Sequence, residues 1–328
     1  MKNYLKTFLP YLFGNKKGKS LDTLLPNPIP WAELSFEETL MFHYLQNNIN
    51  HFVPSLNFQE LNKKERFHLF NYFNFFDDNL KKQIQDFFQT DLAFYNQAVN
   101  SRALTKQELQ ELLDFKNNKL SIFAILKKDR TRPGVLLIRS EDGRFFKYKN
   151  QSIWSIPVLG LSTWGLPFNH SNGCTPTGVF SIDSVMPRAD KNIDFGMFRR
   201  LIVNFVKASA DETEIMNLLP KKHHHHNWWW PSVVGRELGR SLLRIHGTGR
   251  KNFNPLSTFY PFIPTSGCLA TNESSYFLKK NTQDQRILLD ALMTAQGIPA
   301  TFENESNIHG LLYVVEFDDN LAALHFLT

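Results

Sequence analysis

Hydrophobic and polar positions along the chain follow two rhythms. Up to about residue 130, apolar residues return every three to five positions, which places them on one face of a helix. Ser35 followed by Glu38 is a capping-box signal and opens a helix through Phe36, Leu40, Tyr44 and Leu45. Asn62 with Glu65 repeats the signal in a weaker form. Leu69, Phe73, Phe76, Leu80, Ile84, Phe87, Leu92, Tyr95 and Val99 then predict one long or two abutting helices. Thr105 with Glu108 caps another, through Leu109, Leu112, Leu113 and Phe115. Ahead of these, Pro26, Pro28 and Pro30 mark an extended lead-in. The many phenylalanines of this region read as helical-bundle core, and no chemistry is visible in it.

From about Pro133 the pattern changes to short strands with turn punctuation. Val135 to Ile138 is a strand, Asp142-Gly143 a hairpin turn, and Phe145 to Tyr148 the return. Ile156 to Gly160, Gly178 to Ile182 and Leu311 to Val315 read the same way. One late helix stands out through Gln285, Leu288, Leu289, Leu292 and Met293, ending at Gly297. The expectation is an α+β chain. A helical domain over residues 31–130 is followed by a mostly β domain over 133–328, which carries an insertion at about 183–240. No internal repeat is visible.

Composition narrows the class. The chain has 328 residues, 42% hydrophobic and 21% charged, so it folds around real cores. No apolar run reaches the roughly 18–20 residues of a membrane-spanning helix. Two cysteines exclude a disulfide-dense scaffold and a four-cysteine zinc site. The net charge of +6 suits an anionic partner. It is concentrated: Arg188 to Lys251 holds twelve Lys/Arg against six Asp/Glu, and Asn252 to Thr328 three against eight. No nucleic-acid-binding motif accompanies this charge. Residues 1–30 form an N-terminal arm or a residual targeting segment, because the short apolar core from Phe8 to Phe13 holds Pro10 and lacks a small-residue cleavage site.

Two residues could do chemistry together. Cys268, after Gly267 and near Thr265 and Ser266, is sterically open. A free thiol has a pKa of about 8.5, so it needs a base or a positive field to act as a nucleophile. His246 follows an apolar strand-like run (Leu242, Leu243, Ile245) and precedes Gly247-Thr248-Gly249, as if presented at a strand end. The amides of Gly267 and Cys268 could form an oxyanion hole. A Cys and a His in one chain are weak evidence by themselves, since most single cysteines are inert.

The order of three blocks says more. Thr175-Pro176-Thr177-Gly178-Val179-Phe180, then Ile245-His246-Gly247-Thr248, then Thr265-Ser266-Gly267-Cys268-Leu269 resembles the L,D-transpeptidase catalytic-domain (YkuD-like) family over residues 133–328. The helix before Gly297-Ile298-Pro299 resembles the family's closing elements. The resemblance implies a β-sandwich-like catalytic domain acting on peptidoglycan stem peptides in the periplasm or cell envelope. It implies Cys268 as nucleophile, His246 as base, and Gly267 with Cys268 as oxyanion hole, with no cofactor. The expected course is attack on the stem diamino acid, loss of D-alanine, and transfer of the thioester to a neighbouring amine as a 3–3 cross-link. Water in place of the amine gives an L,D-carboxypeptidase, and loss of turnover gives a murein-binding module.

The chain departs from the family pattern at two places. Ser266 stands where many members carry a histidine or basic residue. Ala270 stands where an arginine or asparagine commonly helps hold substrate. Substrate contacts are therefore expected from Ser266, Thr265, Gly247, Thr248 and Arg250, with Arg244 and Lys251 as further candidates by nearness in sequence to His246, and from Trp229 in the Trp228-Trp229-Trp230 run. That run could stack on sugars or close a lid; hydrophobic anchoring is the other reading. His223 to His226 are expected to form a solvated, pH-sensitive loop rather than a metal site. Cys174 reads as structural, and His170, His309 and His325 have no motif support. The sequence does not address oligomeric state.

Overall fold

The computed structural model describes residues 29–189, 192–276 and 279–317, together with Leu5, Phe8, Leu9 and Pro26, the side chains of residues 192 and 274–282 excepted. Three helices start at their expected caps. The side chains of Ser35, Asn62 and Thr105 accept the amides of Glu38, Glu65 and Glu108, and each glutamate carboxylate reaches back to the cap amide. These boxes open α1 (Phe36–Leu45), α2 (Lys63–Phe70) and, after the long helix α3 (Asp78–Val99), α4 (Lys106–Asp114). Helix α3 kinks at Phe88 (φ −118°, ψ 30°), and its buried stripe runs through Leu80, Ile84, Phe88, Leu92, Tyr95 and Ala98. Phe88 and Ala98 are buried, whereas Phe87 and Val99, assigned to that face by the spacing, are 48% and 41% exposed. The cores of α1–α3 also enclose Leu166, Val234 and Leu238 from much later in the chain. Most of the expected N-terminal arm lies outside the described residues, but Phe8 packs edge-on to Phe42 in this cluster.

The remaining elements form one sheet of eight strands, and the fold is α+β. The strands are β1 (Ser121–Lys127), β2 (Gly134–Arg139), β3 (Ser155–Val158), β4 (Gly178–Val185), β5 (Leu201–Phe205), β6 (Leu243–His246), β7 (Leu269–Ala270) and, after the separate β8–β9 hairpin (Glu273–Tyr276 and Lys279–Gln283), β10 (His309–Phe317). Their order is β3-β2-β1-β10-β4-β5-β6-β7, with β1–β10 and β6–β7 parallel. Leu159, directly after β3, exchanges both backbone hydrogen bonds with Ala270 of β7 (2.9 and 2.8 Å), so the last strand meets the first and the sheet curls closed. Inside the curl, Ile122, Ala124, Leu126 and their neighbours pack on α6 (Asp284–Ala295) through Leu288, Leu289, Leu292 and Met293. Outside, Phe123 and Ile125 pack with Leu109, Leu112 and Leu113 of α4.

This arrangement corrects three expectations. A single curled sheet covered by helices replaces two stacked sheets. Residues 121–127, read as part of the helical region, are a strand buried on both faces, so the run shows no alternation. Residues 183–240 are not a cap set apart from the domain. They supply β5, hydrogen-bonded between β4 and β6, and α5 (Trp230–Glu237), which packs in the core through Val233 and Val234. The hairpin turn at Gly143 forms as expected, with φ +85° and its amide on the Ser140 carbonyl. Helix α6 ends before Gly297, whose φ of +74° favours glycine.

Candidate active site

Sheet closure brings the three sequence blocks to one edge. His246 is the last residue of β6, and Cys268 leads into β7. The parallel register pairs Ile245 with Leu269 and His246 with Ala270. Cys268, one residue before β7, therefore lies opposite Arg244, two residues before His246 on the neighbouring strand. The Thr175 hydroxyl donates to the Gly267 carbonyl (2.9 Å), and the Thr265 hydroxyl to the Cys268 carbonyl (2.6 Å), so both carbonyls are turned away and held. Neither the Gly267 nor the Cys268 amide donates to another group among the described residues. That leaves two free N–H groups beside the thiol, the donor set an oxyanion needs. Gly267 has φ +102°, a conformation glycine supplies without strain.

His246 is buried, with the Phe195 ring edge-on at 5.1 Å. Its Nδ1 is hydrogen-bonded to the Gly247 carbonyl. A carbonyl only accepts, so Nδ1 carries the proton and Nε2 keeps its lone pair. Burial pulls the imidazole down to about 4, and Arg200 and Arg244 add to this against the opposing Gly247 hydrogen bond. The ring is neutral at neutral pH. His246 and Cys268 are not hydrogen-bonded to each other. Instead the half-buried thiol donates to the Leu242 carbonyl at 3.7 Å. Burial pushes the thiol up; the Arg244 amide and the guanidinium charges of Arg244, Arg240 and Arg200 pull it back. Three arginines, rather than the histidine, supply the positive charge near the sulfur, and burial outweighs them.

The other expected contacts separate into near and far. Ser266 is exposed at the loop tip, and Thr265 is buried below it. Thr248 is buried, with its hydroxyl on the Arg250 carbonyl at 3.2 Å, and so shapes the loop after His246. Gly247 is buried against Glu273: a β-carbon there would lie 2.2 Å from the Glu273 carboxylate. Arg250 is exposed and pairs with Asp194 at 2.8 Å, so its charge is committed on the surface. Trp229 is not a substrate platform. It is 3% exposed in the core, with its indole donating to the His223 carbonyl, while Trp230 stacks on Phe94 of α3. Nor is the histidine run a solvated loop throughout. His223 is fully buried, accepts from the Trp228 indole at 3.1 Å and is pulled down to about 4 by burial. Among the described residues no group of His, Cys, Asp and Glu could hold a metal ion. Cys174 and Cys268 are both free thiols. His325 lies outside the described residues.

Sequence reasoning missed Arg240, Arg200 and Glu273. The count of basic residues between 188 and 251 signalled the charge, but not which side chains converge. Glu273 is wedged against Gly196 and Gly247, accepts the Met197 amide at 2.6 Å, and is raised to about 7 by burial. The site is also braced from the helices. Asn71 donates to the Asn169 carbonyl (3.0 Å), Asn169 to the Tyr95 hydroxyl (2.7 Å) and Ser171 to Glu37 (3.0 Å), which fixes the loop leading to the Thr175 block. No family model matches the chain, and no characterised protein or solved structure matches it.

Proposed function

We propose that the protein is a cysteine-dependent acyltransferase acting on peptidoglycan stem peptides, an L,D-transpeptidase working in the periplasm or cell envelope where that polymer lies. The observation that carries the reading is the convergence at one sheet edge of Cys268, His246 with a bare Nε2, and the undonated amides of Gly267 and Cys268, locked by Thr175. The Cys268 thiolate attacks the carbonyl of the third stem residue. The two amides take the developing oxyanion, and the C–N bond to D-alanine breaks. His246 Nε2 accepts the thiol proton and returns it to the leaving amine. The amine of a second stem then attacks the thioester, the C–S bond breaks, and a 3–3 cross-link results. The ring must approach the sulfur when substrate binds, since the two are not bonded in the resting protein.

The test is incubation with defined tetrapeptide muropeptides and mass analysis of the products. Dimers linked 3–3 support the reading, with Cys268→Ala abolishing them. Free tripeptide would instead make it an L,D-carboxypeptidase. Bound but unchanged substrate would make it a murein-binding module. Full activity in Cys268→Ala would remove the cysteine assignment.

A further inference from the structure

Arg240 follows α5 at a turn made by Gly239 (φ +75°) and passes beneath the nucleophile loop. Its Nη1 donates to the carbonyls of Phe168 (2.5 Å) and Cys174 (2.9 Å), and Nη2 to that of Gly173 (2.8 Å). A β-carbon on Gly267 would sit 2.5 Å from Nη2, so the loop carrying Cys268 rests on the guanidinium. The hydrogen-bond partners are backbone carbonyls, and no carboxylate pairs with Arg240 among the described residues. The acidic groups that act on it are the thiols of Cys174 and Cys268. A cation taken out of water without a counter-ion is strongly disfavoured, and a nearby thiolate relieves that. Burial accordingly pulls Arg240 down to about 10.

We infer that Arg240 is a positioning residue that ties the Gly173–Cys174 backbone under the Gly267–Cys268 loop and supplies a fixed positive charge that favours ionisation of the Cys268 thiol. It lies outside all three motif blocks. The other groups facing the sulfur are Arg244, by side chain and amide, Arg200 at the start of β5, and the Leu242 carbonyl. Arg244 is half-buried with one guanidinium bond, to the Leu243 carbonyl (2.6 Å), and Arg200 lies over the Phe195 ring at 4.0 Å. Arg240 differs in being clamped at three points, so its charge cannot swing away from the loop.

The inference rests on Cys268 being the reactive thiol and is independent of the acyl acceptor. Its test is alkylation of the full chain by iodoacetamide across pH, in a Cys174→Ala background so that one thiol reacts. The thiolate forms the S–C bond as iodide leaves, so the rate follows the ionised fraction. Arg240→Gln should move the midpoint up by about one pH unit, an approximately tenfold slower reaction below it. Arg240→Lys, which keeps the charge but not the fork, should stay within about 0.3 units. An unchanged midpoint in Arg240→Gln overturns the inference, as does an equal shift in Arg240→Lys, which would make the role purely structural. Should Arg240→Gln not fold, Arg240→Met takes its place as the uncharged variant, with the same upward shift expected and an unchanged midpoint overturning the inference. Muropeptide turnover with no alkylation shift would leave the transpeptidase reading standing without Arg240. A shift without turnover would leave Arg240 standing without the transpeptidase reading.

Discussion

His246 ends β6 and Cys268 immediately precedes β7, with no hydrogen bond between them, and this separates resting reactivity from turnover. The imidazole is drawn down to about 4, so it is already neutral across the physiological range and adds no charge to the thiol's surroundings. His246→Gln should therefore leave the pH profile of Cys268 alkylation where it is. The same substitution should slow stem-peptide transfer by at least about a hundredfold, because proton transfer in the reaction itself is lost. Rate measurements on one variant with the two reagents check both halves. The pairing of these residue types was legible in the Ile245-His246-Gly247-Thr248 and Gly267-Cys268 blocks. The arginine field was not, because Arg200, Arg240 and Arg244 carry no mutual spacing and meet only through the β5–β6–β7 edge.

Among the elements, the short-range signals are legible in the sequence. Capping boxes and the Gly297 stop depend on groups three or four residues apart, so the local sequence contains the whole interaction. Two failures have a common cause in tertiary burial. Strand β1 is apolar on both faces and so lost its alternation, and in α3 Phe88 and Ala98 are buried in place of their apolar neighbours Phe87 and Val99. The kink yields a direct comparison. Phe88→Ala should cost about 3–5 kcal/mol, as a large buried side chain does. Phe87→Ala, one position earlier and 48% exposed, should cost less than half as much. Urea unfolding of the two variants measures the difference, and equal losses would show that the two rings are not unequally buried.

For the whole molecule, a buried polar seam joins the helices to the sheet. Glu37 on α1 accepts from Ser171, lies 3.8 Å from the His68 ring and is raised to about 7, chiefly by burial. The folded chain thus holds a proton that the unfolded chain releases above about 4.5, and stability falls as pH rises through that window. His68 and His170, pulled down to about 4 and about 3 by burial, work the other way: stability falls as pH drops below about 6.5. Glu37→Gln keeps an acceptor for Ser171 and removes the first effect. It should match wild type near pH 4 and exceed it by roughly 3 kcal/mol at pH 8. Denaturant titrations at the two pH values test this, and an unchanged difference between them would place the Glu37 proton elsewhere.

The sequence by itself determined the helix caps, strands β2, β3, β4, β6 and β10, the α+β class and the pair of side chains on which the chemistry is proposed to depend. Each of those rests on contacts within a few residues or on residue type. Tertiary structure alone decided that the sheet curls until Leu159 meets Ala270, that Trp229 and His223 are core, and that Arg240 lies under Gly267. Those outcomes join segments tens to more than a hundred residues apart, where side-chain identity says what can meet and only chain closure says what does.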